Sequence, residues 1–133
     1  MNTIHRFGLL AIVAITLAIS NLRAADLSES DKQFLAQYEK VRAGLAADNL
    51  ADAKKAATDL GEAGIPLANT DSIMMARKEF ATLSDQAIKL ASGQGGYYVV
   101  NCPMLKKDWV QTSTKISNPY AGSSMLTCGS VKK

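Results

Sequence analysis

The chain has 133 residues, 47% of them apolar and 20% charged, with 15 basic residues against 12 acidic ones. That length supports one small domain rather than two. The only histidine is His5, so beyond it no imidazole exists for acid–base work, for a His-activated nucleophile or for ordinary zinc or Cu(II) ligation, and most hydrolase classes fall away.

The N-terminus reads as a secretory signal. Met1 to Arg6 is short and weakly basic, Phe7 to Ile19 is apolar, and Ser20 to Ala25 offers small residues for cleavage. Residues 1–24 are therefore assigned to the signal and 25–133 to a single helical domain. The apolar run is short for a membrane span of roughly 20 residues. No cysteine follows it closely to accept a lipid. The expected location is the periplasm, reached across the inner membrane, with membrane contact only through an uncleaved signal. Past the signal, residues 25–96 carry 8 basic and 11 acidic residues, and residues 97–133 carry 5 and 1. With Arg6 and Arg23 leaving in the signal, the basic balance argues only weakly for nucleic acid, and none is expected as a partner.

From Ser28 the pattern is helical. Phe34, Tyr38, Val41 and Leu45 recur at steps of four, three and four, a single stripe of the 3.6-residue period. Ser28 or Ser30 suits the N-cap, with Glu29 and Asp31 near the positive end of the dipole. Ala46 to Asn49 reads as a corner. A second stripe, Leu50, Ala53, Ala57 and Leu60, follows a cap at Asp48 or Asn49 and ends at Gly61, Gly64 and Pro66. Ile65-Pro66-Leu67 reads as a loop. A third stripe runs Ile73, Ala76, Phe80, Leu83, Ala87 and Leu90, capped by Thr70 or Asp71 and closed by Ser92-Gly93. Met74 and Met75 beside it are expected to fill the core, as methionine commonly does. The expected fold is all-α, a small up-down bundle of three, possibly four, helices with an irregular C-terminal Cys/Met segment.

Both cysteines lie in that last segment, each near a methionine, in mirrored order: Cys102-x-Met104 and Met125-x-x-Cys128. Extended chain would put Cys102 and Met104 on one side, and a turn would bring Met125 to Cys128. Four soft sulfur donors suit Cu(I), and also Ag(I), far better than Mg²⁺ or Ca²⁺. Cys102 and Cys128 would act as thiolate ligands, Met104 and Met125 as thioethers. Tyr97 to Val100 is β-like. Asn118-Pro119-Tyr120-Ala121-Gly122 is a turn, with Asn118 pushed extended by the proline. Asp108 beside Lys107 reads as a surface pair. None of the helical stripes holds a candidate ligand, so the segment from Tyr97 onward is expected to be separable from the bundle.

Cys102-Pro103-Met104, Trp109, Asn118-Pro119-Tyr120-x-Gly122 and Met125-x-Thr127-Cys128-Gly129 resemble the C-terminal signature of a bacterial family catalogued as a domain of unknown function. That domain occurs alone in exported proteins and fused to periplasmic adaptor subunits of copper and silver efflux pumps. Tyr38, the alanine-rich second helix and Ala76-Arg77-Lys78-x-Phe80-x-x-Leu83-Ser84 are similar to its helical part. Cys-Pro-Met is also similar to short heavy-metal motifs of the form Tyr-x-Cys-Pro-Met-His, except that Leu105 stands where the histidine would be. The resemblance implies a copper-linked role, as carrier or efflux accessory, with an efflux-pump component as partner.

A second reading needs no metal. In an oxidising compartment two cysteines form a disulfide by default. A Cys102–Cys128 bridge would staple the tail to the helices of a non-catalytic interaction module, with the methionines as packing. Spacing alone leaves both readings open. An enzyme is not expected: no paired carboxylates stand out, and there is no Cys-x-x-Cys.

Overall fold

The computed structural model describes residues 26–132, so the signal expected at 1–24 lies outside the described residues. The elements are α1 (Glu29–Ala46), α2 (Leu50–Thr58), the single turn α3 (Ile65–Ala68), α4 (Ile73–Ala91), β1 (Tyr98–Cys102), β2 (Lys107–Gln111) and β3 (Ser130–Val131). No helix among the described residues is long and apolar enough to cross a membrane.

The helices form where the stripes lie. Ser28 caps α1, its hydroxyl accepting from the Asp31 N–H at 3.1 Å, and Asn49 caps α2 by accepting from the Asp52 N–H at 3.1 Å. Ser72, rather than Thr70 or Asp71, caps α4 by accepting from the Met75 N–H at 3.2 Å. Thr70 is buried instead and its hydroxyl donates to the Leu67 carbonyl. Each cap satisfies an N–H that a helix start leaves open, worth about 1 kcal/mol. Tyr38, Val41 and Leu45 of α1, Ala53 and Ala57 of α2, and Ala76, Phe80, Leu83 and Ala87 of α4 share one core. At the α1–α2 crossing a Cβ on Gly44 would stand 2.8 Å from the Ala53 nitrogen, so small side chains set the approach. Ile65 to Leu67, expected as loop, instead forms α3, which buries Leu67.

Met74 and Met75 do not fill the core: they are 77% and 53% exposed. At about 100° per residue they turn away from the side on which Ala76 and Phe80 point inward.

The fold class is mixed, not all-α. A three-stranded antiparallel sheet in the order β2-β1-β3 joins the helices, with Val100 opposite Trp109 on one side and Val131 on the other. Two features hide it from a pattern search. In β2 the successive residues Trp109, Val110 and Gln111 are all buried, so no alternation appears. β3 has only two residues, too few to carry a period. The sheet is no appendage either. Val100, Cys102, Trp109 and Val110 belong to the same core as Tyr38 and Phe80, which corrects the expectation of a separable tail.

Aromatic rings carry that core from helices to sheet. Tyr38 stacks on Phe80 at 5.0 Å between centroids, Phe80 meets Tyr120 at 5.5 Å, and Tyr120 meets Trp109 edge-on at 6.2 Å. Their hydroxyls are used as well. Tyr38 Oη accepts from the Val110 N–H at 3.2 Å and lies 2.9 Å from Ser84 Oγ. Tyr120 Oη donates to Ser84 Oγ at 3.0 Å and reaches the Asp108 carbonyl at 3.3 Å. One buried serine of α4 thus fastens both tyrosines, and through them β2.

Candidate functional site around the C-terminal sulfur segment

Cys102 ends β1 with its side chain fully buried, and it is disulfide-bonded to Cys128, with 5.5 Å between the Cα atoms. Both thiols are therefore consumed. The hairpin pairs Cys102 with Lys107, and residues 103–106 make the connection, with Lys106 at φ 52°. The chain is not extended past Cys102, so the geometry that would align residues two apart is lost. Met104 sits on the turn, 75% exposed, while Cys102 points inward. On the other side a turn does form, the Cys128 N–H donating to the Met125 carbonyl at 3.0 Å. Met125 closes a single 3₁₀ turn (Gly122–Met125) and is half-buried against the core. In this bridged form neither cysteine offers a thiolate, and Met104 lies on the exposed turn while Cys102 is buried. Among the described residues no group of three or more His, Cys, Asp or Glu side chains could hold a metal ion.

The other residues of the segment are engaged in holding it down. Asn118 is fully buried. Its Nδ2 donates to the Cys128 carbonyl at 3.1 Å, its Oδ1 accepts from the Tyr120 N–H at 2.9 Å, and its own N–H donates to the Leu126 carbonyl at 2.8 Å. Asn118 thus links the turn at 118–122 to the bridged end of the chain. Gly129 has φ 149°, and a Cβ there would stand 2.9 Å from the Trp109 ring, so glycine lets the backbone lie on the indole.

A polar hub that the sequence does not advertise ties the same turn to the helices. Asp48, at φ 58° in the corner between α1 and α2, accepts from Arg77 at 2.6 Å and from the Ser123 N–H at 2.9 Å. Arg77 also donates to the carbonyls of Leu45 at 2.9 Å and Pro119 at 2.8 Å. Gly122 has φ 55°, and a Cβ on it would overlap the Asp48 carboxylate and the Arg77 guanidinium. The glycine of the Asn-Pro-Tyr-x-Gly turn is thereby explained. Hydrogen bonds from Ser123, then the Arg77 guanidinium, hold the Asp48 carboxyl well below the usual carboxylate range. Arg42 adds a further tie, donating to the Ser117 carbonyl at 2.8 Å while pairing with Glu39.

Several side chains that could do acid–base work are committed elsewhere. Burial pushes the Tyr38 phenol far up and the Tyr120 phenol up to about 12, so both stay neutral at ordinary pH. Asp108 is not a pair with Lys107. Lys132 binds its carboxylate at 2.9 Å and Asn101 at 2.7 Å, and the Lys132 bond leads in lowering its pKa. Lys107 instead lies over the Tyr120 ring, 5.6 Å from its centroid.

Of the signature residues, Cys102, Trp109, Asn118, Tyr120, Gly122, Cys128 and Gly129 thus have structural tasks, while Pro103, Met104 and Thr127 are exposed, Met104 as a large apolar side chain in solvent. Beside it, Met74, Arg77, Lys78, Leu105, Lys107 and Tyr120 line an open groove of about 290 Å³ between the start of α4 and the hairpin. No family model, curated protein or solved structure matches the chain.

Proposed function

We propose that this protein is an exported, periplasmic, non-catalytic binding module whose C-terminal segment is stapled to its helices by the Cys102–Cys128 bridge. One observation carries the reading: both cysteines are joined to each other, with Cys102 inside the shared core, so they act as framework and not as ligands. The missing imidazole past His5 and the two neutral, hydrogen-bonded phenols support a role without catalysis.

A second reading is favoured by the exposed thioether of Met104, next but one to Cys102. Reduction of the bridge by a dithiol adds two electrons and two protons and yields two thiols. The reduced chain would then present two thiolates and two thioethers to Cu(I) or Ag(I) as cargo, consistent with the resemblance to domains fused to copper and silver efflux adaptors. Competition titration with a Cu(I) chelator of known affinity, on oxidised and on reduced protein, separates the two. The stapled module is expected to leave Cu(I) with the chelator while oxidised, and tight capture by the oxidised protein would overturn it. Cu(I) or Ag(I) uptake by the reduced protein in preference to zinc is what the carrier reading expects, and equal or tighter zinc binding would remove it.

A further inference from the structure

A binding module needs a surface on which to bind, and the described residues offer one whose composition is unusual. The groove between the start of α4 and the β1–β2 hairpin has Leu105 and the half-buried Tyr120 ring inside it and Met74, 77% exposed, on its lip. Such a surface is apolar but adaptable, since methionine is unbranched and its thioether is polarisable. Its charges are all of one sign. Arg77 is already spent on Asp48 and two carbonyls, so its charge is balanced. Lys78 and Lys107 have no carboxylate within ion-pair distance among the described residues, whereas Lys32, Arg42, Arg77 and Lys132 each do. Lys107 lies over the Tyr120 ring, so its ammonium sits beside the apolar lining of the groove.

Resting on the module reading above, we propose that this groove docks an acidic peptide segment of a partner protein. An apolar side chain of that segment would pack against Met74, Leu105 and Tyr120, flanked by carboxylates that meet Lys78 and Lys107. Complementarity fixes the choice: two unpaired cations rim an apolar floor, so an occupant must bring both negative charge and an apolar group. The larger concavity between α1 and α2 lacks this character. Its lining mixes the two signs, Lys40 and Lys55 with Asp52 and Asp59.

The test uses the oxidised protein and a short fluorescein-labelled peptide alternating Glu and Leu, followed by fluorescence anisotropy at low salt. Saturable binding is expected, weakening as salt rises. Replacing Glu by Gln in the peptide should abolish it. The exposed double substitution Lys78→Glu/Lys107→Glu should weaken binding at least about tenfold, because two charge contacts turn repulsive. Lys55→Glu, on the α1–α2 side, should bind as the parent does. Amide shifts on adding peptide should gather at Met74, Leu105, Lys107 and Tyr120. No binding of the acidic peptide, or equal binding by the double variant, overturns the proposal. So does binding to anionic phospholipid vesicles without binding to the peptide, which would make the surface a lipid contact. These failures leave the stapled module standing. That reading falls on different results, such as tight Cu(I) capture by the oxidised protein.

Discussion

The helical part, Glu29 to Ala91, and the C-terminal part, Tyr98 to Val131, sit on one core but are held by different means. The helices are secured by repetition. Stripes of Leu, Val, Phe and Ala bury themselves at regular steps, and fully burying each large aliphatic or aromatic side chain is worth roughly 1.5–3 kcal/mol. The C-terminal part has few such residues. It is secured by single, specific devices: a disulfide, a buried asparagine, two arginines donating to turn carbonyls, and glycines where a Cβ would collide. A repetitive scheme loses a little with each substitution. A scheme of single devices loses much at a few positions and nothing elsewhere.

The largest effect expected is from deleting Tyr97 to Lys133. If the two parts were independent, the helices would survive; because Trp109, Val110 and Val100 complete the core against Tyr38 and Phe80, deletion should instead abolish cooperative thermal unfolding. A sharp melting transition in the truncated chain would show that the helices do not need the sheet.

Next in size is the bridge. The chain-entropy model gives a loop of this length, with cysteines 26 positions apart, roughly 3.5 kcal/mol. Cys102→Ala, Cys128→Ala and the double variant should each lose about that much by denaturant titration, and the three should agree, since opening either end frees the same loop. Losses that add between the two single variants would mean that each thiol has a separate task.

A smaller, pH-dependent effect sharpens the role of the polar hub. The folded-state pKa of Asp48 is depressed, so its contribution is present above the unfolded value of about 4 and is lost as pH falls through and below that point. Asp48→Asn should therefore be less stable than the parent at neutral pH, with the gap closing as the solution is acidified below about pH 4. A gap that stays constant down to acid pH would mean that shape, not charge, matters at this corner.

How much of this was legible follows the same division. The stripes locate three helices, and residue type narrows two caps to Ser28 or Ser30 and to Asp48 or Asn49, because periodicity and capping are local properties. They failed where one polar residue took a buried place: Gln111 is buried because its amide accepts from the Trp109 indole N–H at 3.0 Å and donates to the Lys115 carbonyl at 2.9 Å. Nothing in the residue pattern marks that exchange, so β2 has no signature and the stripes alone suggest an all-α fold. For Met74 and Met75 residue type points inward, but their place beside the stripe turns them outward. Arg77 and Asp48 are 29 positions apart, and a link that long has no sequence signature. In the sulfur segment, spacing located the residues but not their state. The mirrored Cys/Met order suits a metal ligand set as well as a staple, and it holds no sign of the inward course of β1 at Cys102 or of the exposed place of Met104 on the turn.

The thiol state of the native protein bears most directly on whether Cys102 and Cys128 are framework or ligands. Protein isolated from the cell envelope, denatured in excess iodoacetamide without reductant and weighed intact by mass spectrometry, should take up no carbamidomethyl group and carry no stoichiometric copper. Two alkylated cysteines, with copper or silver co-purifying in proportion to protein, would contradict the staple and establish the pair as ligands.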